Sequence, residues 1–325
     1  MKGPVRSAAL SVLFGLIILA MKFVAYRVTG SAALYSDAIE SIVNVMAALF
    51  AMGSLIFAHQ PADKEHPYGH GKAELLSATF EGGLIAFAAA WILYEAIAAA
   101  IRGPALSHLE TGIWINFAAG AANGLLGLYL IRAGRKAKSA ALEADGQHVL
   151  SDFYTTLGVA AGLGLTHFTG WLWLDPLLAG VIGIMLAVTG FGLVRRSVGG
   201  LLDSQNEELI GRLIGAANRV RIPDIIALHG LRTQGTEAML HVDAHIVVPE
   251  FRPVSEAHDS VERFSLDWLE AANLKGEIHA HVDPCRRAYC ARCHVVPCPI
   301  RKEKALEPHR FESEEAVAPE EEGAN

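Results

Sequence analysis

The chain has 325 residues, 52% of them hydrophobic and only 19% charged. That composition excludes an ordinary soluble domain, and the apolar residues are blocked rather than spread. The formal net charge of −7 does not describe the apolar blocks, because much of it sits in a Glu- and Pro-rich tail from Glu303 to Asn325.

In chain order, six segments read as membrane-spanning helices: roughly Ala8–Val28, Ala32–Ala58, Glu74–Ile101, Gly112–Ile131, Ala141–Thr166 and Leu172–Val194. Each has about twenty residues or more, the length that crosses a hydrocarbon core of about 30 Å. No small-residue cleavage site follows the first apolar run, so it is expected to stay as a helix and not to be a signal peptide. Basic residues (Lys2, Arg6, Lys64, Lys72, Arg132, Arg135, Lys136, Lys138, Arg195 and Arg196) gather on the N-terminal tail and on the connections of one side. The opposite side has Arg102, with Lys22 and Arg27 near the end of the first helix. The positive-inside rule then puts both termini in the cytoplasm, and the expected location is the inner (plasma) membrane.

Residues 1–200 form the expected membrane domain, and a soluble domain follows over 201–284. In the latter, 205–219 and 254–272 have helical spacing, while 224–235, 239–248 and 276–282 alternate as strands. The order α-β-β-α-β suits a small two-layer α+β domain. No internal repeat of fixed period is visible.

All four cysteines of the chain lie in an extension over 285–300, which reads Cys285-Arg-Arg-Ala-Tyr-Cys290-Ala-Arg-Cys293-His-Val-Val-Pro-Cys298. Cytoplasmic thiols stay reduced. The Cys-x2-Cys core, flanked by a further Cys on each side and accompanied by His294, reads as a soft-metal site, with inert surface thiols as the plainer alternative. Residues 301–325 are expected to be a disordered acidic tail, too poor in apolar residues to fold.

Charged groups inside spanning helices are costly and therefore point to function. Glu40 and Asn44 in the second segment are four residues apart, as are His148 and Asp152 in the fifth, so each pair shares a helix face. At about 1.5 Å per residue, Glu40 lies about 12 Å and Asn44 about 18 Å below the outer surface, while His148 and Asp152 lie about 12 and 18 Å above the inner one. Glu40 should thus face Asp152, and Asn44 should face His148. Two antiparallel helices then present four ligands near the midplane, the number and type that a tetrahedral zinc-like ion takes. The plainer reading is hydrogen bonding that glues helices together. Asp37 and Asp145 would line an access path or position their helices, and Glu81, Glu95 and Asn123 read as packing or hydrogen-bonding residues.

Four stretches resemble the signatures of the cation diffusion facilitator family: Gly30-Ser-Ala-Ala-Leu-Tyr-Ser-Asp-Ala-Ile-Glu, His66-Pro-Tyr-Gly-His-Gly-Lys-Ala-Glu, Asp145-Gly-Gln-His-Val-Leu-Ser-Asp and His229-Gly-Leu-Arg-Thr. The resemblance covers about residues 5 to 285. It implies a homodimeric metal/proton antiporter with a ferredoxin-like cytoplasmic domain and no enzymatic activity. Carried over residue by residue, the transport site is Glu40, Asn44, His148 and Asp152. The family's zinc transporters have Asp or His at the first of these positions and Asp at the second, so this site has one carboxylate fewer and a longer one. Zinc leads as substrate and regulatory ligand, with Fe2+, Co2+, Cd2+, Mn2+ and Ni2+ compatible with such ligands.

The resemblance also implies a loop metal site at Asp63, His66 and His70, and a two-metal site bridging protomers at His229, His245, His258, His281 and Asp283. It implies an inter-protomer salt bridge between Lys72 and Asp203 near the membrane surface. Of the cysteines, Cys285 alone belongs to the part that resembles the family. The expected partners are a second copy of the chain, the lipid bilayer, metal ions and protons, with no nucleic acid. Alternatives are a non-transporting metal sensor or heterodimer partner, which Asn44 keeps open, and an intramembrane metallohydrolase, for which no nucleophile or general base stands out.

Overall fold

The computed structural model describes residues 2–29, 32–102, 110–169, 171, 173–236, 239–291, 293, 295–303 and 310–318. Within these, the side chains of 2, 25, 26, 28, 29, 32–40, 99, 102, 110–116, 159–168, 174, 175 and 236 lie outside the described residues. The chain divides into two compact units, Met1–Leu202 and Asp203–Asn325.

The first unit is built of long helices: α1 (Lys2–Thr29), α2 (Ala32–Ala58), α3 (Ala73–Arg102), α4 (Glu110–Ala137), α5 (Ala140–Thr169) and α6 (Leu174–Leu201). Helices satisfy every backbone group internally, which a hydrocarbon environment demands. Among the described residues, four carry a window long and apolar enough to cross a membrane: Gly3–Val24, Ser41–Ala58, Ala73–Ala98 and Pro176–Leu201. Their apolar side chains point outward, with Phe87 71% and Val188 69% exposed.

No such window is found among the described residues of α4, or of α5, where polar residues are frequent. Helix α5 touches each of the other five long helices, so its surface meets protein rather than lipid. Polar residues that would be expensive against lipid can then sit on it.

Glycines let these helices approach. A Cβ on Gly146 of α5 would lie 2.7 Å from the backbone nitrogen of Ile131 on α4, and one on Gly127 of α4 would lie 2.9 Å from the carbonyl oxygen of Gly146. The α3–α6 pair meets the same way, with Gly190 backed against the nitrogen of Ala86 at 2.7 Å. Small residues at such crossings replace the hydrophobic drive that lipid removes.

The second unit holds α7 (Glu207–Val220), β1 (Ala227–Thr236), β2 (Met239–Val248), α8 (Val254–Ala272), β3 (Gly276–Pro284) and the short α9 (Ser313–Val317). Asn206 caps α7 by accepting from the Leu209 N–H at 3.2 Å. The sheet order is β1-β2-β3, antiparallel between β1 and β2 and parallel between β2 and β3. The α-β-β-α-β order is as expected, and β2 and α8 have the expected bounds. Even-numbered strand residues such as Val242, Ala244, Ile246 and Ile278 face a core completed by Leu213 of α7 and by Phe264 and Trp268 of α8. Odd-numbered residues of β2 and β3 therefore crown the opposite face.

The expected disorder of 301–325 is corrected for 310–318. Phe311 and Ala316 are buried in the same core. Asn218 clamps Phe311 from both sides, donating to its carbonyl at 2.9 Å and accepting from its N–H at 2.9 Å. Arg221 lies 4.2 Å over the Phe311 ring, and the Gly230 N–H donates to the Ala318 carbonyl at 2.8 Å. Average composition hid two apolar anchors in an acidic segment. Residues 304–309 and 319–325 lie outside the described residues.

Overpacking a helix crossing costs about 1–3 kcal/mol. Gly146→Leu should therefore lower the thermal unfolding midpoint in detergent by several degrees. Gly192→Leu on α6, where a Cβ meets nothing within 4 Å, should leave it unchanged. Equal effects of the two would contradict the close α4–α5 contact.

Candidate metal-binding sites

Inside the helical unit, α2 and α5 bring Asn44, His148 and Asp152 together. The amide Nδ2 of Asn44 donates to Asp152 Oδ2, and His148 Nε2 lies 3.1 Å from Asn44 Oδ1. An amide oxygen only accepts, so His148 Nε2 carries the proton of that bond. Asn44 thus meets His148, as its depth predicts, and reaches Asp152 as well. Residues one helical turn apart leave a gap that one side chain between them can bridge. The side chain of Glu40 lies outside the described residues, as does that of Asp37.

Two acids are buried in the bundle. Glu81 on α3 is 0% exposed, and neither of its carboxylate oxygens has a hydrogen-bond partner among the described residues. Asp145 on α5 is 1% exposed, with Ser11 beside it. Reading Glu81 as a hydrogen-bonding residue is not supported.

In the loop between α2 and α3, Asp63, His66 and His70 converge. His66 Nδ1 lies 3.4 Å from Asp63 Oδ1, His70 Nε2 lies 3.3 Å from Asp63 Oδ2, and the two imidazoles are 3.1 Å apart. The N–H groups of His66 and Glu65 donate to Asp63 Oδ1 at 2.7 and 2.9 Å. The His66 bond chiefly holds the Asp63 carboxyl below its usual range, with the Glu65 bond adding to it. Phe57 backs His70, ring to ring at 4.4 Å.

On the face of the sheet turned away from α7 and α8, the register aligns His229, His245 and His281 across the three strands. Asp283 ties them together. Its Oδ2 takes His245 Nδ1 at 2.8 Å and His229 Nε2 at 3.2 Å, and its Oδ1 lies 3.3 Å from His281 Nε2. A shift in the β1–β2 register falls after His229. There Gly230 has φ +61°, and a Cβ would lie 3.0 Å from the His245 ring. Only glycine takes that turn and leaves the ring its space.

Within one chain His258 stands apart from this group; the expected two-metal site is one that bridges protomers. His258 sits on α8 with Asp259 and Glu262, and α8 packs on the other, apolar face of the sheet. Two further histidines were not singled out from the sequence. His241 Nδ1 lies 2.8 Å from Glu277 Oε1, and His279 Nε2 lies 3.2 Å from the same oxygen. The hydrogen bond from His241 is the main reason the Glu277 carboxyl is pulled below its usual range. The signal was present: His241, Asp243 and His245, and Glu277, His279, His281 and Asp283, alternate along their strands.

The four cysteines are free thiols that line one cavity of about 580 Å³. Burial pushes the Cys285 thiol above its ordinary value. His294 lies outside the described residues. Lys72 Nζ donates to the Leu201 carbonyl at 3.5 Å, and Asp203 accepts from the Gly235 N–H at 3.5 Å.

Residues 8–202 match the model of the cation efflux transmembrane domain, and residues 206–285 match that of the cation efflux protein cytoplasmic domain. The chain belongs to the cation diffusion facilitator family. It is 35% identical over 281 residues to an uncharacterized transporter of Synechocystis, covering 85% of this chain and 89% of that one. It is 27% identical to the cation-efflux pump FieF of Shewanella oneidensis, covering 84% and 92%. It is 28% identical to FieF of Salmonella arizonae, covering 91% and 95%. A family of membrane-embedded cation efflux transporters accounts for the long apolar helices and for the second unit with its small mixed sheet. The cysteine extension begins where the cytoplasmic match ends, at Cys285.

Asp283 should dominate metal binding at the sheet. Asp283→Ala should weaken Zn2+ binding there by about tenfold or more, the scale seen when groups that orient ligands are removed. His258→Ala should cost less, as read by calorimetric titration of the full chain. A larger loss for His258→Ala would show that Asp283 is not the organising group.

Proposed function

We propose that this protein exports a divalent transition-metal ion in exchange for protons, with Glu40, Asn44, His148 and Asp152 as the transport site. The observation that carries the reading is the meeting of Asn44 with both His148 and Asp152 across α2 and α5. Polar side chains that meet between two helices are what a midplane ion site needs.

The same contacts suggest how metal and proton are linked. A proton lies between His148 Nε2 and Asn44 Oδ1, and the Asn44 amide occupies Asp152 Oδ2. A cation binding His148 at Nε2 must displace that proton, to Nδ1 of a neutral ring or to solvent from a doubly protonated one, and it must draw Asp152 away from the amide. Metal and proton compete for the same lone pairs. In this scheme all six long helices cross the membrane, both termini are cytoplasmic and the membrane is the inner one. Metal enters from the cytoplasm, the bundle rocks, and outside protons compete the metal off.

The loop group and the sheet group act as regulatory ion sites in a homodimer. A bridging site takes the partner's His258 beside His229, His245, His281 and Asp283. Lys72 and Asp203 pair between protomers. Zinc leads as cargo, with Fe2+, Co2+, Cd2+, Mn2+ and Ni2+ as competitors.

Asp152→Ala should reduce metal uptake into proteoliposomes to background while the protein remains folded and inserted. Uptake at the wild-type rate would sink the assignment.

Asn44 sets the preference among metals. Its amide oxygen is a weaker zinc donor but suits ions with more oxygen-rich shells, such as Fe2+, Co2+ and Mn2+. Asn44→Asp adds a proton-binding group and an anionic ligand. It should move selectivity toward Zn2+ and Cd2+ and make transport steeper in pH. Competition between Zn2+ and Co2+ in vesicles at two pH values reads both effects. An unchanged ranking and pH profile would leave Asn44 as a helix-packing residue.

A further inference from the structure

The cysteine extension lies outside the part matched by the cytoplasmic-domain model, apart from Cys285 itself. It is nevertheless an ordered piece of the second unit. The Cys285 N–H donates to the Val248 carbonyl at 2.8 Å, which carries the β2–β3 pairing one residue past Pro284. Cys293 is buried against Ile226, Ala227, Val247 and Val295. Arg301 staples the loop, donating to the carbonyls of Cys290 at 2.9 Å, Cys293 at 3.2 Å and Val295 at 2.9 Å. One guanidinium thus fixes the backbone around the Cys-x2-Cys core.

The chemistry of the cavity is that of a thiophilic ion. Four thiols line it, the number that closes a tetrahedral shell. Four thiolates around a divalent ion leave a net charge of about −2, and Arg286, Arg287, Arg301 and Lys302 line the same cavity. Among the described residues, no three cysteine sulfurs yet converge within 4.8 Å. An ion would therefore gather them by side-chain rotation and contraction of the loop.

That contraction would act on a strand that also serves the histidine group. Cys285 stands two residues beyond Asp283, the carboxylate that ties His229, His245 and His281 together. Cys293 packs on Ala227 and Val247, which pair in register two residues from His229 and His245. The two sites thus share one end of the sheet.

We propose that the thiol cavity binds a thiophilic d10 ion such as Zn2+ or Cd2+, and that its occupancy fixes the end of β3 and so favours ion binding by the histidine group. The binding step stands on the cavity alone, and the regulatory step rests on the exporter reading. Coupling of this kind is reciprocal, so emptying the histidine group must weaken the thiol site by the same factor.

Reciprocity gives the test. The full-length protein in detergent, with its thiols reduced, is titrated with Cd2+, and the cadmium–thiolate charge-transfer absorption is followed. The chain has four cysteines in all, so the band reports this cavity. Wild type should show a saturating band, and the same Cd2+ should block alkylation of all four cysteines. His245→Ala/His281→Ala should keep the band with its midpoint moved about tenfold higher, within the usual range of coupling. Cys290→Ser/Cys298→Ser should lose it.

Absence of the band together with unprotected thiols in saturating Cd2+ and Zn2+ would overturn the site. An unmoved midpoint in the histidine variant would overturn the coupling. Neither readout depends on transport, so failure of the exporter reading would show separately, in the vesicle uptake of Asp152→Ala.

Discussion

The helical unit depends on one constraint: polar side chains must lie inside a low-dielectric medium, yet lipid must not touch them. The solution is to surround the helix that carries them. Helix α5 touches each of the other five long helices, so His148, Asp145 and Ser151 are buried although they are polar. Close approach then becomes obligatory, which explains why glycines meet backbone at the α4–α5 crossing. Any residue that separates these helices lets lipid or water reach the polar face, so packing and site chemistry cannot be tuned independently.

The cytoplasmic unit separates the same two demands across the thickness of a sheet. One face is apolar and locked to α7 and α8, with Trp268 Nε1 donating to the Leu213 carbonyl at 2.7 Å. The other face is free to carry imidazoles and carboxylates at alternate positions, held in register by the strands. Asp283 is the point where three strands are read at once. Because the chain runs from Asp283 directly into the cysteine loop, and returns through Phe311 to Asn218 and Gly230, the sheet end is braced from both sides.

Much of this was legible in the sequence, for physical reasons. Apolar blocks of spanning length and period-two alternation gave the long helices and the strands, and i, i+4 spacing put His148 and Asp152 on one face. What stayed hidden depended on tertiary geometry. Depth arithmetic places residues to within about a turn, so it could not foresee that Asn44 reaches both α5 residues. That His258 stands apart from the strand histidines within one chain follows from which face α8 covers. The polar residues of α5 become intelligible once its neighbours are known. His241 and His279 were visible as alternating residues but matched no motif. The docking of 310–318 rests on Phe311 and Ala316, which average composition dilutes.

The central claim is that metal and protons compete for one midplane site and move in opposite directions. The most direct measurement is simultaneous recording of metal and proton flux in proteoliposomes of the wild-type protein, over a panel of Zn2+, Cd2+, Fe2+, Co2+, Mn2+ and Ni2+. The account predicts that each transported metal drives proton movement the opposite way, at a fixed ratio, and that an imposed pH gradient drives the metal against its own gradient. Metal flux that persists without proton movement and ignores the pH gradient would contradict it.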